Sequence, residues 1–255
     1  MRMLICVITH NRLEYTKQCL NAVDQNTDAG DEWKVVVVDN GSTDGTQEWL
    51  KSEEADGLID HVILSPMNKY PGAACNQGWM VGLNKFSDVN FTHLCRLDND
   101  CLVQPGWYEA AERAFVSFPD LGQFGLIEMS DAKEFKYVQR TNDETGFSVN
   151  SGPTNIGGPN IIDRVVWDEG VRYSEMPWQH FGGPTPQEDV FLSLAVKETG
   201  RWFANTDSVI CIEQSFGNTD VYYDYYEHTF AQRGYGPPAR TRDGEVLDGD
   251  GRDHI

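Results

Sequence analysis

The chain has 255 residues and carries 40 acidic against 20 basic side chains, a formal net charge of −20. That length suits one large domain, or one domain with an appendage, and buries a substantial core. A surface so acidic repels phosphate backbones and anionic bilayers, which counts against a general nucleic-acid or membrane-surface binder.

The N-terminal "MRMLICVITHNR" holds an apolar run too short for a secretory signal or a membrane span, and no later segment reaches spanning length. The expectation is a soluble, cytoplasmic protein. "MLICVIT" is a β-rich first strand, followed by "NRLEYTKQCLNAVDQ", which places Leu13, Thr16, Cys19 or Leu20, and Val23 on one helical stripe. "WKVVVVD" is a continuous β-branched run of the kind buried on both faces of a parallel sheet. The turn-rich "NGSTDGT" and the helical "TQEWLKSE" come next, then a third strand, "HVILS". "PGAACNQGWMVGLNKF" reads as a helix despite its glycines, "FTHLCRLD" as a fourth strand, and "PGWYEAAERAFVSF" as a helix opened by Pro105. "FGLIEMS" is a further strand.

Strands alternating with helices at this spacing imply an α/β fold, a mostly parallel sheet with helices on both faces. Ligands of such sheets lie beyond the carboxyl ends of the strands. The loops at those ends, "THNR", "DNGSTDGT", "SPMNKYPG" and "DNDCL", are all rich in polar or turn residues. After about residue 130 the alternation breaks down. A polar, Gly-rich stretch suggests a hairpin or loops, "IIDRVVWDEG" a short helix, "PQEDVFLSLAVKETG" an amphipathic helix and "RWFANTDSVICIE" a strand. The tail "ARTRDGEVLDGDGRDHI" lacks apolar periodicity and is expected to fray.

No G-x-G-x-x-G follows the first strand and no G-x-x-x-x-G-K-[ST] occurs, which argues against a dinucleotide dehydrogenase or a P-loop NTPase. Six cysteines, mostly within apolar stretches and without a C-x-x-C pair, suit free thiols in a reducing compartment rather than structural zinc. Asp98 and Asp100 form a D-x-D at a strand end, on one face if the strand stays extended. Two hard oxygen ligands that close suit Mg²⁺ or Mn²⁺ carrying a phosphate, although an Asn/Asp turn gives the same pattern. Asp39 closes "KVVVVD" as either a cap or an acceptor aimed at a ligand. Glu188 and Asp189 open a helix, where acids complement the macrodipole or where one serves as general base. Of the histidines, His93 reads as packed in a strand, while His228 is the best candidate metal ligand.

Taken in order, "VITHNR", "VVVVDNGSTDGT", "NKYPGAACNQG", "RLDND", "GGPNIIDRVVWDEGV" and "QEDVFLSLAVKETG" resemble the family-2 glycosyltransferases of the GT-A fold, over roughly residues 3–213. The resemblance implies a mixed, mostly parallel Rossmann-like sheet and a catalytic domain over residues 1–215. A nucleotide-sugar half (1–130) would precede an acceptor-side half (131–215), with a C-terminal extension over 216–255. It implies a UDP- or GDP-type sugar as donor, bound with Mn²⁺ or Mg²⁺. By matching, Thr9, Asn11, Arg12, Asp39, Asn76 and Asp98 would line the nucleotide-sugar site. Asp98, Asp100 and His228 would hold the metal, and Asp189 would be the general base of an inverting transfer. The chain departs from the family where a His usually follows the last strand: it has "ICIEQSFG", so Glu213 or Gln214 competes with His228 as third ligand. It also carries His10 where Tyr is usual, and only Lys197 where an Arg often follows the paired acids.

The acceptor is left open among glycan, protein, small metabolite, lipid and modified nucleic acid, with Trp178, His180 and Phe181 as candidate stacking surfaces. Two rivals keep the fold: a sugar-phosphate nucleotidyltransferase, which would begin with a Gly-rich basic signature after the first strand, and a non-catalytic nucleotide-sugar-binding module.

Overall fold

The computed structural model describes residues 1–28, 30, 32–128, 137–152, 156–175 and 188–214. The chain runs β1 (Met3–Thr9), α1 (Leu13–Asn26), β2 (Trp33–Asp39), α2 (Thr46–Asp56), β3 (His61–Leu64), α3 (Pro71–Lys85), β4 (His93–Asp98) and β5 (Cys101–Val103). It continues with α4 (Trp107–Ser117), β6 (Leu121–Gly125), β7 (Val138–Thr141), β8 (Ser148–Ser151), β9 (Asn160–Asp163), α5 (Arg164–Asp168), α6 (Glu188–Glu198), β10 (Trp202–Thr206) and β11 (Cys211–Glu213). The main sheet has the order β3-β2-β1-β4-β9-β6-β10-β8-β7, and β11 pairs with β5 in a separate ribbon. Strands β3, β2, β1 and β4 are parallel, as are β6 and β10, while β9 runs antiparallel between β4 and β6. The sheet is therefore mixed, and parallel across β3, β2, β1 and β4.

Strand alternation sorts the apolar runs into two cores. Met3, Ile5 and Val7 of β1 join Val35 and Val37 of β2 on one face, with Cys19 and Leu20 of α1 and Trp107 of α4. Leu4, Cys6 and Ile8 join Val36 and Val38 on the other, with Trp79 of α3 and Leu192 and Val196 of α6. Both faces are covered, which is why "MLICVIT" and "VVVV" are unbroken apolar runs. All six cysteines are buried free thiols within these layers, and His93 packs its ring 4.3 Å from that of Phe115.

The glycines of α3 have a packing reason. A Cβ at Gly78 would overlap Cys6 Sγ and lie 2.9 Å from Val38 Cγ2, and one at Gly82 would lie 2.8 Å from Leu4 Cδ2. The helix thus rests almost directly on β1 and β2. Gly78→Ala gains up to about 1 kcal/mol of helix propensity but wedges a methyl into a close-packed layer, at a cost of about 1–3 kcal/mol. The expected outcome is a net loss, read as a lower urea midpoint at unchanged slope.

Two expectations change. "IIDRVVWDEG" is not all helix: Asn160–Asp163 is β9, hydrogen-bonded on both sides inside the sheet, and only Arg164–Asp168 coils. Pairing with β4 and β6 outweighs the local helical pattern, because a short apolar run is ambiguous by periodicity alone. "RWFANTDSVICIE" is two strands, β10 and β11, in different sheets. The extension over 216–255 lies outside the described residues, as do Trp178, His180, Phe181 and His228. Among the described residues no helix is long and apolar enough to cross a membrane.

Candidate active site

The carboxyl ends of β1, β2 and β4 converge on one edge of the sheet, in register: Thr9 lies beside Asp39, and Ile8 beside Asp98. After β1 the chain turns through two non-glycine residues in left-handed conformation, Asn11 (φ 55) and Arg12 (φ 63). Such conformations persist only where their surroundings fix them, and here they are fixed. The Asn11 N–H donates to Ser42 Oγ at 2.7 Å, Asn11 Oδ1 accepts from the Thr43 N–H at 2.8 Å, and the Leu13 N–H donates to Asp44 at 3.1 Å. The loop after β2 and the loop after β1 thereby hold each other.

Asn99 completes the clamp. Its side-chain amide donates to Thr9 Oγ1 (3.2 Å), the Asn11 carbonyl (3.1 Å) and Thr16 Oγ1 (3.2 Å). Thr9 Oγ1 also lies 2.7 Å from Thr16 Oγ1, so its hydroxyl serves the internal network. Held this way, the Arg12 guanidinium lies over the Tyr15 ring at 4.5 Å and meets Asp100 Oδ2 at 3.3 Å.

Asp39 is fully buried. Its Oδ2 accepts from the Gly41 and Ser42 N–H groups and from Gln47 Nε2 at 2.7 Å, while Oδ1 has no hydrogen-bond partner. A buried carboxylate oxygen left without a donor is costly. Asp98 projects from the opposite face of the sheet, because β4 places Leu94 and Asp98 toward α3 and α6 but Cys95 and Leu97 toward α1. The edge therefore carries Asp39 on one side and Asp98 on the other.

Asp98 accepts from Arg96 Nε (3.1 Å) and Nη2 (3.0 Å) on one oxygen and from Nη2 (3.3 Å) on the other. Desolvation pushes Asp98 above the ordinary carboxylate range, against the pull of Arg96 and with help from Asp100. Asp98 and Asp100 do not continue one extended strand: β4 stops at Asp98, and Asn99–Asp100 form a turn into β5. Glu213 of β11 sits opposite Cys101, and the Gln214 N–H donates to the Asp100 carbonyl at 2.9 Å. Burial, then the Asp100 and Asp98 charges, push Glu213 up to about 7. The Asp98, Asp100 and Glu213 charges thus act on one another, behind the larger effect of burial, although no cluster of three metal-ligating side chains is formed among the described residues.

Across the sheet, α6 begins with Glu188 and Asp189. Burial, then the neighbouring Glu188 charge, raise Asp189 to about 6, partly offset by Arg96. One Asp189 oxygen accepts from the Val190 N–H at 2.7 Å. The other faces the loop before β9, where a Cβ on Gly157 would lie 3.2 Å from it; any larger residue there crowds the carboxylate. Asn76 is turned inward: its amide bonds the Tyr173 carbonyl (3.0 Å), the Tyr173 N–H (3.1 Å) and Glu175 (3.0 Å), so it anchors the loop after α5. Arg96, which no local pattern singled out, links Asp98 to Glu188 on the α6 side of this edge.

A family profile, "Glycosyl transferase family 2", matches residues 4–173. The glycosyltransferase AglE of Haloferax volcanii is 31% identical over 107 residues, which is 41% of this chain and 32% of that protein. Among solved structures, the mannosyltransferase PcManGT from Pyrobaculum calidifontis in complex with GDP-Man and Mn²⁺ superposes with a TM-score of 0.63 at 17% identity, over 96% of this chain and 65% of that one. GalNAc-T7 with UDP, GalNAc and Mn²⁺ gives 0.60 at 15% identity, over 81% and 42%. The structural likeness at these identities is one of fold, and the chain spans about a third of the Haloferax relative and under two thirds of either solved chain. The profile, however, covers most of the chain. The chain belongs to glycosyl transferase family 2, and its mixed, mostly parallel sheet is that of the GT-A glycosyltransferases.

Proposed function

We propose that this protein is a divalent-cation-dependent glycosyltransferase. It moves a sugar from a UDP- or GDP-linked donor to a hydroxyl acceptor with inversion, and Asp189 is the general base. The observation that carries the reading is the meeting of Asp39, Asp98, Asp100 and Asp189 along one sheet edge, with Asp39 and Asp189 on opposite sides of it. The GDP-Man and Mn²⁺ of PcManGT, and the UDP and Mn²⁺ of GalNAc-T7, are ligands of those proteins and support the same class of donor here.

The residues fit a divalent cation. Asp98 and Asp100 offer hard oxygens, and Glu213 adds a carboxyl raised by burial and then by their charge; Mg²⁺ or Mn²⁺ held there would take phosphate oxygens as further ligands. Asp98 is already gripped by Arg96, so Asp100 is the main ligand and Asp98 orients the donor. When bound, the cation neutralises charge on the departing nucleoside diphosphate. Arg12, fixed by the Asn99 clamp, adds a guanidinium beside the same diphosphate. Asp39 Oδ1 accepts an N–H of the base. Asp189, with a value near 6, is ionised at neutral pH yet still basic enough to take the acceptor hydroxyl's proton.

Loss of the Asp39 charge removes a charge-assisted hydrogen bond worth about 1.5–3 kcal/mol. Asp39→Asn should therefore weaken nucleoside diphosphate binding by about 10–100-fold, measured by calorimetry, with its unfolding still cooperative. The overall assignment is tested by supplying UDP- and GDP-linked sugars with Mn²⁺ or EDTA and following nucleoside diphosphate release. Metal-dependent release is expected. Pyrophosphate formed from a nucleoside triphosphate and a sugar phosphate would instead identify a nucleotidyltransferase, and binding without turnover a non-catalytic module.

A further inference from the structure

Arg96 lies in the middle of the fourth strand's hydrophobic run, where an arginine is rarely fully buried unless paired. Only 4% of it is exposed. Its Nε and Nη2 grip Asp98, Nη2 also faces Glu188 Oε1 at 3.6 Å, and the guanidinium lies 5.0 Å from the centre of the Tyr173 ring. Nη1 is buried with no hydrogen-bond partner. Asn160, directly across from Arg96 in the β4–β9 register, donates to the Tyr173 hydroxyl at 2.8 Å, so the polar cluster continues into β9. One cation thus stands between the carboxylate that ends β4 and the glutamate that opens α6, Asp98 and Glu188, 90 positions apart in the chain.

We propose that Arg96 is the positioning residue that couples the two halves of the site. By holding Asp98 and Glu188 on one guanidinium, it locks the base-bearing helix α6 to the strand that ends in the donor carboxylates, and sets its charge beside Glu188, the residue next to Asp189. A lysine cannot reproduce this two-pronged grip, because its charge is a single point rather than a fork. The groups facing the cluster are Asp98 on β4, Glu188 and Asp189 on α6, Tyr173 on the loop after α5 and Cys75 on α3. Among the described residues Arg96 is the cation of this cluster, so it sets the balance. The catalytic part of this inference rests on Asp189 being the general base.

The titration of Asp189 can be read without assaying transfer. The difference in melting temperature between Asp189→Asn and its parent, followed against pH, locates the pH at which Asp189 ionises in the folded state. In the parent the midpoint is expected near 6. In the Arg96→Gln background it should rise by about one pH unit, since removing a neighbouring opposite charge shifts a carboxyl by 1–3 units. In the Arg96→Lys background it should stay near the parent value, while hydrolysis of the bound donor loses tenfold or more in kcat at unchanged donor KM. A merely structural Arg96 would lower the melting temperature without moving the midpoint. A folded Arg96→Gln with the parent midpoint, or an Arg96→Lys enzyme with the parent kcat, overturns the inference. If Arg96→Gln does not fold, the Arg96→Lys kinetics decide alone. An active Asp189→Asn would instead overturn the base assignment, with the midpoint shift still readable.

Discussion

Asp189→Asn is expected to reduce transfer by about 10²–10⁴-fold, the usual contribution of a positioned general base, with donor affinity unchanged. The substitution keeps the shape of the group and its hydrogen bond from the Val190 N–H, so the loss isolates basicity. In the parent enzyme the rate should rise with pH through about 6, where Asp189 ionises, and this acid limb should vanish in the variant. Stability should move the opposite way. Asp189 has a folded-state value near 6, above its ordinary 3.8. Protonation therefore favours the folded state: the favourable contribution is complete below about pH 4 and is lost as pH rises through 6. Asp189→Asn should consequently melt higher than the parent at pH 8 and no higher at pH 4. A site that is weakened in function yet gains stability on neutralisation is a site that stores electrostatic strain.

Asp100→Asn is the second large effect. The residue is 4% exposed and faces both the Arg12 guanidinium and, through the turn, Glu213. Replacing a charged hard ligand by a neutral amide weakens the hold on a divalent cation, which is worth several kcal/mol at a developing phosphate charge. Turnover should fall by about two to three orders of magnitude, and half-maximal activity should require far more Mn²⁺ than in the parent. Asp98→Asn should cost less in metal dependence and more in folding, because it leaves Arg96 buried beside one carboxylate partner instead of two. Comparing the Mn²⁺ titrations of the two variants separates the ligand from the group that orients the donor.

Much of this arrangement is legible in the sequence. The apolar runs of β1, β2 and β4 announce strands buried on both faces, and each ends in a polar residue at the sheet's carboxyl edge: Thr9, Asp39, Asp98. What eludes local reading depends on distant partners. Nothing in "FTHLCRLD" distinguishes Arg96 from a surface arginine; only its i, i+2 relation to Asp98 puts both on the α6 side, and Glu188 comes from a helix far along the chain. Asn99 looks like a turn residue, and its work is done on Thr9, Asn11 and Thr16, which precede it by more than eighty positions. Strand β9 is concealed for a related reason: four residues are too few to show a period, and its identity comes from β4 and β6 on either side.

The pair of acids at residues 98 and 100 condenses these findings. Each has its own guanidinium, Arg96 for one and Arg12 for the other, and still burial, joined by the charges of these two acids, raises Glu213 to about 7. That residual negative charge is what a cation carrying a diphosphate would neutralise. Calorimetric titration of UDP and GDP into the metal-stripped protein, with and without Mn²⁺, tests this most directly. Saturable binding of one nucleotide only when Mn²⁺ is present, and its loss in Asp100→Asn, is the predicted result. Equal binding with and without Mn²⁺ in both proteins would contradict it.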